Sequence, residues 1–389
     1  MSGPTRSREP RRLDVDAILD DPSVRIVVCC GSGGVGKTTT AAALALRAAE
    51  RGRRTVVLTI DPARRLAQSM GLRELDNAPR EVAGIGADSG GSLDAMMLDM
   101  KRTFDEVVIA HASPEKAAAV LENPFYQALS TSFAGTQEYM AMEKLGQLRA
   151  LGSWDLIVVD TPPSRSALDF LDAPARLGSF LDGRLIRVLT APARAGGRAG
   201  LRFVQLGLGV FTGALTRVLG GDLLGDVQTF VGALDSMFGG FRERAEQTYA
   251  LLQDPETVFV VVAAPESDAL REASYFVERL SGDGMPLGGL VLNRVHATAV
   301  PGLTAEQSLA AAERLEESPQ HALAAGALHL HAERMRVVER ERRLARRFTT
   351  AHPSVAVVEV PAFPTDVHDL QGLRDVGESL APRSSAATS

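Results

Sequence analysis

The run Gly31-Ser32-Gly33-Gly34-Val35-Gly36-Lys37-Thr38-Thr39 constrains this chain more than any other segment. It fits G-x-x-x-x-G-K-[ST], a loop whose backbone N–H groups cradle phosphate oxygens. Its flanks agree with that reading. Ile26-Val27-Val28-Cys29-Cys30 before it is a short apolar run that reads as a buried strand. Thr40-Ala41-Ala42-Ala43-Leu44-Ala45-Leu46 after it is a strong helix former. Glycines let the backbone curl tightly, and a helix N-terminus adds a favourable field for anions. In this setting Lys37 falls on the β- and γ-phosphates and the Thr38 hydroxyl on Mg²⁺. Only four of the 42 basic residues are lysines (Lys37, Lys101, Lys116, Lys144), so a lysine here reflects chemistry rather than habit of composition.

Composition sets the remaining bounds. The 389 residues are 45% hydrophobic and 23% charged, enough for one large α/β domain with an insertion or for two domains. A formal charge of -6 argues against nucleic acid as a partner. The two cysteines, Cys29 and Cys30, are adjacent in the predicted strand, so they point to opposite faces and suit neither a metal nor an ordinary disulfide. They read as small buried apolar residues. Met1 to Arg12 is polar and rich in Arg and Pro, unlike a secretory signal. The most apolar stretch, Leu201 to Leu219, is interrupted by Arg202, Gln205 and Arg217, so no stable membrane insertion is expected. A cytoplasmic protein follows. The expected layout is a disordered tail over 1–20, a P-loop domain over 21–380 and a disordered tail over 381–389. Helical segments at about 98–150 and 165–252 form an inserted subdomain.

Further strands are expected at Arg54 to Ile60, Trp154 to Val159, Thr257 to Val262, Leu287 to Asn293 and Ser354 to Val360, alternating with helices. Ser89-Gly90-Gly91-Ser92 reads as a turn or loop. Continuous apolar strands alternating with helices predict an α/β fold, a mostly parallel sheet covered on both faces. Ligands bind at the carboxyl ends of such strands. Two of those ends carry Asp61-Pro62-Ala63 and Asp160-Thr161-Pro162-Pro163. Asp160 reads as a carboxylate reaching the Mg²⁺ shell or as a helix N-cap before two prolines. Asp61 reads as a group that orients attacking water or, again, as an N-cap.

Taken with Ser164 and Leu168-Asp169-Phe170-Leu171, these segments resemble the arsenite-pump and tail-anchored-protein-targeting ATPases. That family sits in the deviant-Walker-A group, with the chromosome-partitioning and division-site ATPases. Pro265-Glu266, Val291-Leu292-Asn293-Arg294, Val360-Pro361, Asp366-Val367 and Gly372-Leu373 extend the likeness over about residues 24 to 380. The resemblance implies a P-loop NTPase fold, ATP and Mg²⁺, and a dimer that closes around two ATP molecules and moves a helical subdomain. It implies that Gly33, Gly34, Val35, Gly36, Lys37, Thr38 and Thr39 hold the phosphates, and that Thr38 and Asp160 hold the metal. Lys37, Asp61 and Asp160 become the catalytic set, with Asp61 activating water. Asn293 and Pro361 face the adenine.

Two departures from the family's pattern matter. Its signature lysine, second in the glycine loop, is Ser32 here, and C-x-x-C is absent. In the family that lysine reaches the partner's phosphates, a charge serine does not carry, so the partner is either a second copy or a related ATPase subunit that keeps the lysine. In the family such cysteines bind zinc or the metalloid, so without C-x-x-C arsenite transport is not expected. Leu201 to Phe241 combines apolar side chains with many glycines. By the resemblance it forms a groove for a hydrophobic client helix; read from the residues, it is equally an ordinary helical core. The alternatives in function are a positioning or partitioning ATPase and a regulatory nucleotide-binding subunit. Glu residues alternate with Arg from Glu333 to Arg347, which predicts a solvated, salt-bridged helix face.

Overall fold

A computed structural model describes residues 11–60, 65–86, 88–123, 126–127, 136–162, 243 and 246–381. Asp61, Ser164, the Leu168 to Leu171 segment, the expected groove at Leu201 to Phe241 and the two tails at 1–10 and 382–389 lie outside the described residues.

The expected tail over 1–20 needs correction from residue 11 onward. Leu13 pairs with Val357 through its N–H, and α1 (Val15–Asp20) starts at Asp14, whose carboxylate accepts from the Ala17 N–H. Leu13, Val15 and Leu19 are buried. Polar composition hid three apolar anchors in a segment that only long-range contacts hold in place.

From there the chain alternates strand and helix. β1 (Ile26–Cys30) is buried at every position, and α2 (Lys37–Glu50) follows the glycine loop. α2 buries Thr40 and an almost unbroken run of Ala and Leu from Ala41 to Leu46 against the sheet. Alanine permits that close approach at no cost in helix propensity. Next come β2 (Arg54–Thr59), α3 (Arg65–Ser69), β3 (Arg80–Glu81) and β4 (Ser92–Met97). The β3–β4 pair was not expected from the sequence, which placed only a turn at Ser89 to Ser92. Two residues are too few for a periodic signal, and β4 reads mixed because Asp94 sits mid-strand, held by the Trp154 indole N–H at 2.7 Å.

α4 (Met100–His111), α5 (Pro114–Leu121) and α6 (Thr136–Leu151) fill the region expected to be helical. β5 (Leu156–Asp160), β6 (Thr257–Ala263), α7 (Ser267–Gly282) and β7 (Leu287–Val295) come next. α8 (Ala305–Glu316), α9 (Ala322–Ala351), β8 (Val357–Pro361) and α10 (Leu370–Leu380) close the described chain.

The eight strands form one sheet in the order β3-β4-β2-β5-β1-β6-β7-β8. The pairs β2–β5, β5–β1, β1–β6, β6–β7 and β7–β8 are parallel, and β3–β4 is antiparallel. In β1 and β5 both alternating sets of side chains are buried, which requires cover on both faces. The fold is therefore α/β with a mostly parallel sheet. Cys29 and Cys30 are both buried and unbonded to each other. Burial pushes the Cys30 thiol up to about 12 and the Cys29 thiol well above its usual range, so neither is a nucleophile.

The chain divides into two compact units. One comprises Met1–Met96, Ser153–Ala167 and Gln253–Ser389, and holds the sheet; the other comprises Met97–Gly152 and Leu168–Leu252. In the second unit the Tyr126 hydroxyl donates to Asp105, and Lys144 pairs with Glu106 at 3.0 Å.

The Arg-rich helix departs from expectation. Among the described residues, Arg336, Arg340, Arg343 and Arg347 make no ion pair, although Glu339 and Arg343 lie one turn apart. Glu341, the third acid of the run, is buried and points inward to His296 instead.

Candidate functional site

At the carboxyl end of β1 the chain turns through the glycine loop and enters α2. Gly36 is the N-cap residue of α2 with φ +95°, and no side chain caps the helix. The first-turn N–H groups therefore face the site without a side-chain acceptor, an arrangement that suits an anion. A Cβ at Gly36 would lie 2.2 Å from Asn293 Nδ2, so both the backbone conformation and the space demand glycine. Lys37 is 5% exposed, and its Nζ donates to the Ser32 carbonyl at 2.8 Å, folding the side chain back across the loop.

Asp160 is fully buried at the end of β5. It lies between Cys29 of β1 and Thr59 of β2 in the parallel register. Its Oδ2 accepts from Thr38 Oγ1 at 2.7 Å and from Thr59 Oγ1 at 2.8 Å. A buried carboxylate is stable only with such donors or a cation. Thr161, the next residue, donates its hydroxyl to the Cys29 carbonyl at 2.9 Å and fixes the strand end. A hydroxyl and a carboxylate in contact beside an open helix N-terminus and a lysine form a hard-oxygen donor set. That set fits Mg²⁺ shared with phosphates.

The other wall comes from β7. Asn293 Nδ2 donates to the Val35 carbonyl at 2.8 Å, and Arg294 Nη1 donates to the Gly34 carbonyl at 2.9 Å. A cavity of about 620 Å³ opens between this wall and the segment after β8. Gly36, Thr38, Thr39, Asn293 and Pro361, all named from the sequence, line it together. Asp160 and Val35 are buried and joined to this set through Thr38 and Asn293, while Lys37 is buried between Gly36 and Thr38 in sequence and holds the Ser32 carbonyl. Gly33 and Gly34 are exposed on the loop. Asp61 lies outside the described residues, so its place in the site is not drawn.

Sequence reasoning missed three contributors. Thr59 meets Asp160 only because β2 pairs with β5, a neighbour relation that no local pattern carries. His296 lines the cavity, its Nδ1 2.7 Å from Glu341 Oε1 and its backbone N–H donating to Glu341 Oε2 at 2.8 Å. Arg294 reaches the Gly34 carbonyl across 260 positions of chain, a contact that leaves no local pattern.

The comparisons with known proteins converge on one group. A family model described as "Anion-transporting ATPase" matches residues 24–195, a span that includes the glycine loop and Asp160. ATPase GET3 of Podospora anserina is 28% identical over 298 residues, covering 76% of this chain and 80% of its own. ATPase GET3 of Malassezia globosa is 26% identical over 282 residues, with 72% and 75% covered. ATPase ARSA2 of Chlamydomonas reinhardtii is 26% identical over 284 residues, with 72% and 70% covered. Over these spans the chain is similar to the arsenite-pump and GET3 ATPases. The matches to this family model and to proteins named as ATPases support ATPase activity for this chain. Among the described residues, no helix is long and apolar enough to cross a membrane.

Proposed function

We propose that this ATPase uses Mg²⁺-dependent ATP hydrolysis to drive a dimeric switch that handles a hydrophobic, membrane-protein-like client in the cytoplasm. The observation that carries the hydrolytic part is the buried Asp160 held by Thr38 and Thr59 directly under the P-loop. In this reading the loop N–H groups from Gly33 to Thr39 bind the phosphates, and Lys37 leaves the Ser32 carbonyl for the β- and γ-phosphate oxygens. Thr38 and Asp160 hold Mg²⁺, which when bound neutralises phosphate charge. Asp61 orients the attacking water. Asn293 and Pro361 hold the base. Lys37 then stabilises charge as it moves onto the leaving group.

Phosphate release from ATP by the purified chain tests this, with Lys37→Ala and chelator as blanks. Turnover should exceed both blanks by about a hundredfold, the usual worth of one well-placed charge-stabilising group. Turnover equal to the Lys37→Ala blank, with no ATP bound, would sink the reading.

A second reading rests on Ser32. Its side chain carries no cation, so a charge supplied by a related subunit would complete this chain's site. In that case the chain alone binds ATP and turns it over slowly, and adding a lysine-bearing subunit raises the rate by orders of magnitude, as charge donated in trans does elsewhere.

A further inference from the structure

We propose that Arg294 is a positioning residue for the P-loop that favours a nucleoside triphosphate over a diphosphate. The proposal rests on the P-loop cavity being the nucleotide site.

Among the described residues, Arg294 alone of the non-glycines has a positive φ, +61°. An arginine in the left-handed region is strained, and such strain persists where surrounding contacts over-determine it. The contacts here are specific. β7 pairs with β8 at Leu292↔Glu359, and the register shifts before pairing resumes at Val295↔Pro361. The strand thus leaves its ladder for the two residues that touch the P-loop. Asn293 donates to the Val35 carbonyl and Arg294 to the Gly34 carbonyl, while the Asn293 Oδ1 accepts the Arg294 N–H at 3.0 Å. Two consecutive loop carbonyls are therefore drawn to the β7 side.

A trans peptide is planar, with its N–H opposite its C=O. Pulling the Gly34 and Val35 carbonyls toward β7 turns the Val35 and Gly36 N–H groups the other way, off that wall. Those are N–H groups of the kind that cradle phosphate. Arg294 also brings charge. Its guanidinium is permanently ionised, lies exposed at the cavity wall, and has no carboxylate within ion-pairing distance among the described residues. Lys37, by contrast, is buried across the loop. A fixed cation at this wall acts more strongly on the more highly charged nucleotide.

The test uses the full chain and equilibrium binding of a non-hydrolysable ATP analogue and of ADP, so that it does not depend on turnover. Arg294→Gly relieves the backbone and removes the charge. It should weaken the ATP analogue about tenfold or more, the worth of one charge-assisted hydrogen bond, and weaken ADP less. Its melting temperature without nucleotide should match or exceed that of the unaltered chain. Arg294→Lys should restore part of the preference, and Arg294→Asn, which tolerates the left-handed backbone, should behave like Arg294→Gly. An unchanged ratio of ATP-analogue to ADP affinity overturns the proposal. So does a fall in melting temperature that tracks the loss of affinity, because Arg294 would then be only a structural strut. If Lys37→Ala binds both nucleotides as the unaltered chain does, the cavity is not the nucleotide site, and the proposal falls with that reading rather than on its own account.

Discussion

At the scale of single residues, the site is built from groups that constrain one another across long stretches of chain. Gly36 is the clearest case, since its φ of +95° and the Asn293 amide 2.2 Å from a would-be Cβ exclude any side chain. Gly36→Ala should displace Asn293 from the Val35 carbonyl and weaken ATP binding by more than about tenfold, read by calorimetric titration. Thr59→Val should destabilise the fold by about 1–3 kcal/mol, because a buried carboxylate loses one of its donors, and the urea midpoint reads that loss. Lys37, Thr38 and the strand-end Asp160 were legible because each has a local signature: a spaced motif, or an acid closing an apolar run. Thr59 has none. Its role arises from pairing with a strand whose contacting residue is 101 positions away.

Elements show the same division. The central strands announced themselves as unbroken apolar runs, and α2 through its alanine-rich sequence. β3 and β4 did not, being too short or interrupted by Asp94. The order of residues 11–20 was hidden because α1 is only six residues long and is held by α2, where Arg47 pairs with Asp16 at 2.6 Å and Arg51 with Asp20. α9 carries its information inward. Glu341 is nearly fully buried and holds both the backbone N–H and the ring Nδ1 of His296, so Glu341→Ala leaves these part-buried groups without their partner. The expected cost is about 1–3 kcal/mol in a denaturation curve, together with weaker nucleotide binding because His296 lines the cavity.

The link between β2 and the start of β5 responds to acid. The Arg54 guanidinium holds the Asp155 carboxyl down to about 2, through a 2.8 Å ion pair. The folded-state value lies below the unfolded one, so the pair stabilises above the usual carboxylate range and its contribution is lost as pH falls toward 2. Solvent screening at this surface site keeps the effect small. Asp155→Asn should flatten the acid limb of a plot of melting temperature against pH, with its small loss greatest near pH 7 and fading toward pH 2.

On the scale of the whole molecule, the parallel sheet decides where chemistry can occur. Its inner strands run the same way, so the glycine loop after β1, Asp160 on β5, Asn293 on β7 and Pro361 on β8 all meet at one edge. That is the carboxyl edge, where open α/β sheets bind ligands. A dimeric switch predicts a change of mass on binding nucleotide. Light scattering should give a mass of two 41.3 kDa chains with a non-hydrolysable ATP analogue and Mg²⁺ present. A single-chain mass under those conditions, with nucleotide bound, would remove the homodimer and leave a related subunit as the partner.

What the sequence determined by itself was the class of fold, the phosphate loop and the acid under it. Each of these depends on interactions between residues close along the chain, which leave a local pattern of spacing and polarity. Only the tertiary structure decided that Thr59 shares the Asp160 oxygen, that Glu341 turns inward to hold His296, and that Arg294 leaves its ladder to grip the loop. Those roles follow from which strands lie side by side and which helix covers them, and a linear sequence records such neighbours only through the energy of the whole fold.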